Sequence, residues 1–226
     1  MSRYDAICFD LDHTLCESTQ DPTAVLETAC ARVGLERFCS ATDLRAAVPA
    51  IPTAGTDREF YELLFAEVAT RAGLEVGDAT VDDLAGAYLA ERDPSAVRFC
   101  DGAADALDLA RSVGPVGLIT NGGRPTQTQK LESLDIADAF DAAVYTDLEA
   151  GVHPKPHTIP FERALSRLGV APERTLHIGD SLHADVAGAN AMGMDSAWID
   201  VGDERVPDHQ PTYELETLTD LESVLS

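Results

Sequence analysis

Lysine is almost missing from this chain. Only Lys130 and Lys155 occur among 226 residues, against 14 arginines. With 40 acidic and 16 basic residues, the formal net charge is −24. A field of that sign repels polyanions, which excludes a general nucleic-acid binder and a binder of anionic membranes. No window approaches the about 18 uninterrupted apolar residues that a membrane-spanning helix needs. The start, Met1-Ser2-Arg3-Tyr4-Asp5, leads into a short apolar stretch that meets Asp10 at once. A secretory signal needs a longer apolar region and a small-residue cleavage site. The five cysteines (Cys8, Cys16, Cys30, Cys39, Cys100) include no CxxC pair, and one is left over from any pairing. Reduced, mostly buried thiols in a cytoplasmic protein are the expectation.

What is present fits a folded domain. Apolar residues make up 45% of the chain, enough for a buried core, whereas a disordered acidic chain is poor in aliphatic residues. The carboxylates are scattered and do not form a tail. That pattern is the one expected of a halophilic cytoplasmic protein, in which concentrated salt screens repulsion between surface carboxylates.

The apolar pattern divides the chain. Residues 4–9 read as a buried strand ending at Asp10. Helical patterns follow at 22–33, 41–50, 57–72 and 80–91. Asp21 before Pro22 is a cap and first-turn signal, Thr56 or Asp57 suits the third helix, and Thr80 the fourth. This run holds no convincing strand, and Asp93-Pro94 closes it. Beyond it, helices at 103–112, 124–134, 158–169 and 183–192 alternate with strands at 115–120, 142–146, 175–179 and 194–199. Such alternation indicates βαβ units and a parallel sheet. The expected fold is therefore α/β: residues 1–15 and 96–226 form the core, and 16–95 are an all-helical insertion. The tail from 203, with Pro207 and Pro211, is expected to end in a short helix at 217–225.

Polar residues gather just past the strand ends: Asp10, Asp12 and Thr14 after the first; Thr120-Asn121-Gly122-Gly123 after the next core strand; and Asp180, with Asp185 five residues on, after the fourth. Lys155 lies in His153-Pro154-Lys155-Pro156. In open α/β sheets ligands bind at the carboxyl ends of strands, so these segments are expected to converge. Four carboxylates together need compensation. Lys155 supplies one positive charge, and a divalent cation supplies two. Carboxylate oxygens without a Cys or His cluster favour Mg²⁺ over Zn²⁺. A cation-loaded acidic pocket suits a phosphate group. Side chains at i and i+2 of an extended segment share a side, so Asp10 and Asp12 are expected to face one ligand. One carboxylate then attacks phosphorus, and the other moves the proton. Thr120 and the main-chain N–H groups near Asn121 and Gly122 are candidates for holding phosphoryl oxygens, with Lys155 spanning nucleophile and phosphate. The remaining candidates read as structural. The histidines show no zinc spacing, and Phe60, Tyr61, Phe65 and Trp198 read as packing residues.

These residues resemble the motif set of the haloacid dehalogenase-like hydrolase superfamily, over nearly the whole chain. Phe9-Asp10-Leu11-Asp12-His13-Thr14 is similar to its first motif, DxDx[TV]. Thr120-Asn121-Gly122 resembles the second, Lys155 before Pro156 the third, and Gly179-Asp180 through Asp185 the GDxxxxD form of the fourth. The resemblance implies a Rossmannoid three-layer core with a helical cap inserted after the first motif, as in the phosphoglycolate phosphatase-like branch. It implies Asp10 as nucleophile and Asp12 as acid/base. It implies Mg²⁺ held by the Asp10 carboxylate, the Asp12 main-chain carbonyl and Asp180, with Asp185 supporting the metal shell or orienting Lys155. The family's dehalogenases lack the second aspartate, so Asp12 points to phosphate chemistry. The expected activity is hydrolysis of a small phosphorylated metabolite. A sugar-phosphate mutase shares the nucleophile and acid/base. A non-enzymatic phospho-receiver module shares the Asp, Thr and Lys set but lacks the helical insert. Arg32, Arg37, Arg45, Arg58, Arg71 and Arg92 are available in the insert for a substrate's other anionic groups.

Overall fold

A computed structural model describes residues 3–201 and 209–225. Pro207 of the expected tail lies outside the described residues. The chain divides into two compact units, one of residues 1–17 and 97–226, the other of 18–96.

The first unit is built on a six-stranded sheet in the order β5-β4-β1-β6-β7-β8, every pairing parallel. Its strands are β1 (Ala6–Phe9), β4 (Val116–Gly123), β5 (Ala142–Thr146), β6 (Thr175–Gly179), β7 (Asp195–Ile199) and β8 (Tyr213–Leu215). Side-chain alternation along the strands makes three layers. Ile7, Phe9, Val116 and Leu118 join one core with α5 (Ala103–Val113), α6 (Arg124–Ser133) and α9 (Leu221–Leu225). Cys8 and Ile119 point the other way, into a core with Phe161 of α7 (Thr158–Leu168) and Ala189 of α8 (Ala187–Met192). Strands covered on both faces have no polar side, which is why β1 reads as an unbroken apolar run.

Strand order reverses at β1, which lies between β4 and β6. Phe9 pairs with Leu118 on one side and Ile178 on the other, so β1 and β6 end at nearly one level while β4 runs on to Gly123. This reversal is the point where open α/β sheets hold ligands.

The second unit holds α1 (Pro22–Arg32), α2 (Ala41–Ala47), α3 (Asp57–Arg71) and α4 (Asp78–Glu91). They close around Leu26, Leu64, Phe65, Leu84 and Tyr88, with Phe60 and Tyr61 packed against that core. Asp21 caps α1 through the Thr23 N–H, with Pro22 in the first turn. A Ser40/Asp43 capping box opens α2, and Thr56 caps α3.

Several local expectations differ from the structure. α2 stops at Ala47 and tightens into a 3₁₀ turn, Val48–Ala50, because Pro49 has no N–H to continue the helix. α4 begins two residues early on Gly77, so Thr80 lies inside its first turn and does not cap it. The helix expected at 183–192 is a π turn, Leu182–Val186, followed by α8. Two short strands, β2 (Cys16–Ser18) and β3 (Val97–Phe99), pair where the helical segment leaves and rejoins the first unit. Neither they nor β8 show in the pattern, since each is three residues long. The described cysteines are all unpaired, and only Cys100 is more than slightly exposed.

Candidate active site

β1 delivers Asp10 to the sheet end. Its N–H donates to the Ile178 carbonyl at 2.8 Å, so the ladder runs one residue past the strand. The chain then turns sharply. The Leu11 carbonyl accepts N–H bonds from Leu15 (2.9 Å) and Cys16 (3.0 Å), and His13 takes a left-handed backbone at φ 60°. This turn holds Asp12 beside Asp10. Thr14 is buried in it, and its hydroxyl has no hydrogen-bond partner among the described residues.

Lys155 is 4% exposed and reaches the same place from the loop before α7. Its ammonium donates to Asp10 Oδ1 (2.5 Å), Asp185 Oδ1 (2.6 Å) and the Ile119 carbonyl (2.7 Å). Asn121 secures that loop from β4. Its amide oxygen accepts the Lys155 N–H at 2.7 Å, and its amide nitrogen donates to the Lys155 carbonyl at 3.1 Å. The Asn121 side chain thus holds the Lys155 backbone, while the expectation for Asn121 concerned its main-chain N–H. The Lys155–Pro156 peptide is cis.

Asp185 comes from the π turn and is 2% exposed. Besides Lys155 it takes the Ser181 N–H (3.1 Å) and pairs with His177 Nε2 (2.8 Å). A β-carbon at Gly179 would stand 2.2 Å from the Asp185 carboxyl carbon, so only glycine lets Asp185 cross the end of β6. Ligand oxygens of Asp10, Asp180 and Asp185 all lie within 4.8 Å of one another. Trp198 Nε1 donates to the Asp180 carbonyl at 2.8 Å, tying that backbone to β7.

Asp12 is held from α6. Lys130 donates to its Oδ1 at 2.6 Å and Gln127 Nε2 to its Oδ2 at 2.8 Å. The same Gln127 nitrogen is 2.7 Å from Thr120 Oγ1. Neither Lys130 nor Gln127 belongs to the motifs that mark the site in the sequence. Lys130 is the chain's other lysine, and its rarity, together with a position one helix turn after Gln127 and directly downstream of Thr120, was the available signal. His177 was placed in its strand, but its bond to Asp185 is visible only in three dimensions.

The charges explain the titration. Burial raises the Asp10 carboxyl, the neighbouring Asp185 adds to this, and Lys155 offsets it only in part, leaving Asp10 at about 7. Burial would raise Asp185 too, but Lys155 and the His177 hydrogen bond overcome it and bring Asp185 down to about 2. Desolvation lowers Lys155, and the two carboxylates more than reverse that, so it stays an ammonium. Burial also opposes ionisation of Asp12, but the Lys130 charge and the Gln127 bond outweigh it and lower the carboxyl. His177 is pushed down by burial and stays neutral. When all four carboxylates are ionised, the two ammonium groups leave two negative charges, the complement of one divalent cation. The donors are all carboxylate oxygens, as hard cations require. No histidine joins a metal-holding group among the described residues, although the His153 and His157 rings stack 4.9 Å apart.

A family model described as haloacid dehalogenase-like hydrolase matches residues 4–193, a stretch that contains every residue of this cluster. The chain belongs to the haloacid dehalogenase-like (HAD) hydrolases. Pyrophosphatase PpaX of Bacillus velezensis is 30% identical over 225 residues, covering 97% of this chain and 95% of that one. The glyceraldehyde 3-phosphate phosphatase of Pyrococcus abyssi is 36% identical over 107 residues, covering 47% of this chain and 44% of the relative, less than half its length. Among solved structures, the HAD-hydrolase YfnB of Bacillus subtilis, described as bound to magnesium, superposes with a TM-score of 0.70. It is 25% identical, with 99% of each chain covered. As a HAD hydrolase, the chain sets its family motifs at the ends of β1, β4 and β6 and in the loop before α7.

Proposed function

We propose that this HAD hydrolase is a Mg²⁺-dependent phosphatase that cleaves a small phosphorylated metabolite through an aspartyl-phosphate on Asp10. The observation that carries this reading is the contrast between two carboxylates on one short turn. Asp10 is bound to Lys155 through Oδ1, and its Oδ2 makes no hydrogen bond among the described residues. Asp12 has both oxygens occupied by donors from α6. The first arrangement suits a nucleophile, and the second suits a proton carrier held in place.

In the resting site Asp12 is ionised, so in the proposed reaction it takes up a proton as the substrate binds; Asp10 Oδ2 then attacks phosphorus as the bond to the leaving oxygen breaks, and the Asp12 carboxyl gives that oxygen its proton. Asp12 then takes a proton from water, which attacks the aspartyl-phosphate, releasing inorganic phosphate and restoring Asp10. Lys155 and the Thr120 hydroxyl hold phosphoryl oxygens, with the Asn121 and Gly122 N–H groups beside them. Asp10, Asp180 and the Asp12 carbonyl would hold Mg²⁺, and Asp185 supports that set while orienting Lys155. When bound, the cation supplies positive charge to the carboxylates and to the phosphoryl group. Asp12 also gives the intermediate a route to water, which argues against a receiver module. The helical unit, 18–96, is proposed to act as the cap that selects the leaving group. The named activities of the relatives, on pyrophosphate and glyceraldehyde 3-phosphate, put small phosphate compounds first.

The test is phosphate release from pyrophosphate, glyceraldehyde 3-phosphate, phosphoglycolate, nucleoside monophosphates and a hexose 1-phosphate, in molar KCl, with Mg²⁺ against EDTA. Release that EDTA abolishes is expected. Isomerisation of the hexose phosphate without release would instead indicate a mutase, and no turnover by folded protein would overturn the reading.

A further inference from the structure

We propose that Lys130 and Gln127 are positioning residues for this reaction, acting through Asp12 and Thr120. The inference rests on the phosphatase reading above and adds two residues to its machinery. They lie three apart on α6, so they share one face of the helix. Both are buried, Lys130 at 5% exposure and Gln127 completely. An interior ammonium on a surface-type helix requires a function or a partner, and its partner here is Asp12 Oδ1 at 2.6 Å.

Gln127 makes both of its contacts through one atom. Its amide nitrogen donates to Asp12 Oδ2 at 2.8 Å. That nitrogen's second hydrogen is directed at Thr120 Oγ1, 2.7 Å away. The Thr120 oxygen is then an acceptor, with the Gly122 N–H also facing it at 3.4 Å. The hydroxyl hydrogen of Thr120 is left to donate, which is what a phosphoryl oxygen needs. Gln127 therefore joins the phosphate-holding hydroxyl to the proton carrier through one amide. The arrangement leaves Gln127 Oε1 buried with no partner among the described residues. Its β4 neighbour also makes room, since a β-carbon on Gly122 would lie 2.3 Å from Gln127 Nε2.

If Lys130 acts by fixing Asp12 toward the leaving oxygen, its loss harms poor leaving groups most. The test measures kcat/KM, which reports events up to leaving-group departure, for an alkyl phosphomonoester substrate and for p-nitrophenyl phosphate. Lys130→Met is expected to lose roughly a hundredfold on the alkyl ester and less than about tenfold on the aryl ester. Lys130→Arg should recover most of the alkyl activity. Gln127→Met should show the same leaving-group pattern and also weaken inhibition by inorganic phosphate. In the Asp12→Asn background, Lys130→Met should add almost nothing, because the residues act as a unit. Should Lys130→Met fail to fold, Lys130→Gln, which keeps a neutral donor, takes its place in each comparison. Equal losses on both esters, or losses that add fully to those of Asp12→Asn, would overturn the proposal while leaving the phosphatase reading intact. A harmless Asp12→Asn would instead overturn the phosphatase reading itself.

Discussion

Asp10 and Asp185 share one ammonium, and they share it unequally. Asp185 also receives the Ser181 N–H and the His177 ring, so it is the better solvated carboxylate. Asp10 keeps one unbonded oxygen and is the one pushed up to about 7. That inequality is functional in the proposed reaction, since a fully hydrogen-bonded carboxylate is a poor nucleophile. It also has a consequence for folding. Lys155→Met would leave both carboxylates buried without their counter-charge. Breaking such a group typically costs about 3–5 kcal/mol. Without the ammonium, the folded-state pKa values of Asp10 and Asp185 both move above their unfolded values, so ionisation opposes folding. The deficit should be largest at pH 8 and should shrink as pH falls towards 5 and protons neutralise the pair. Urea midpoints of both proteins across that range check this, and a deficit independent of pH would contradict it.

At the scale of elements, three strand ends and two turns make the site, and their legibility differed for physical reasons. β1, β4 and β6 are covered on both faces, so β1 and most of β4 read as apolar runs and β6 as a mixed one, with the motif residues Asp10, Thr120 and Asp180 at the ends. β2, β3 and β8 are too short for any period, and Glu17, Arg98 and Glu214 make them look like loops. Arg98 and Glu17 pair at 2.6 Å across the β2–β3 ladder, a cross-strand contact no local pattern announces. Asp10, Asp12, Thr120, Lys155, Asp180 and Asp185 were legible because chemistry restricts them to few residue types. The α6 contribution was not, since Lys130 and Gln127 look like ordinary polar positions until the helix is docked on β4. Nor does the pattern show that the Asn121 side chain holds the Lys155 main chain. Gly179 shows how tightly the turns are fitted. Gly179→Ala would place a β-carbon 2.2 Å from the Asp185 carboxyl carbon and displace the side chain that orients Lys155. It should destabilise the protein by about 1–3 kcal/mol and weaken Mg²⁺ affinity, as calorimetric titration would reveal. Unchanged metal affinity in a folded variant would contradict the assignment of Asp185.

For the whole molecule the dominant quantity is the charge of −24. The basic residues are mostly engaged in local pairs. Arg174 binds Asp5, Arg58 binds Asp82 and Arg71 binds Glu67, all at the surface, where each pair is worth at most about 1 kcal/mol. The many remaining carboxylates repel one another, and salt screens that repulsion within about 10 Å at 0.1 M and about 3 Å at 1 M. Raising KCl from 0.1 to 2 M should therefore raise the urea midpoint, because relief of net repulsion outweighs the weakened surface pairs. Circular dichroism in matched buffers would measure it. A midpoint that stays constant or falls would remove the halophilic interpretation of the composition without touching the site.

Whether Asp10 carries the phosphoryl group is decided by acid-quenched turnover with a ³²P-labelled substrate. The expected result is Mg²⁺-dependent label that survives acid, is released by mild base, maps to the peptide containing Asp10 and is absent from Asp10→Asn. Label that persists in Asp10→Asn, or that maps to another peptide, would contradict it.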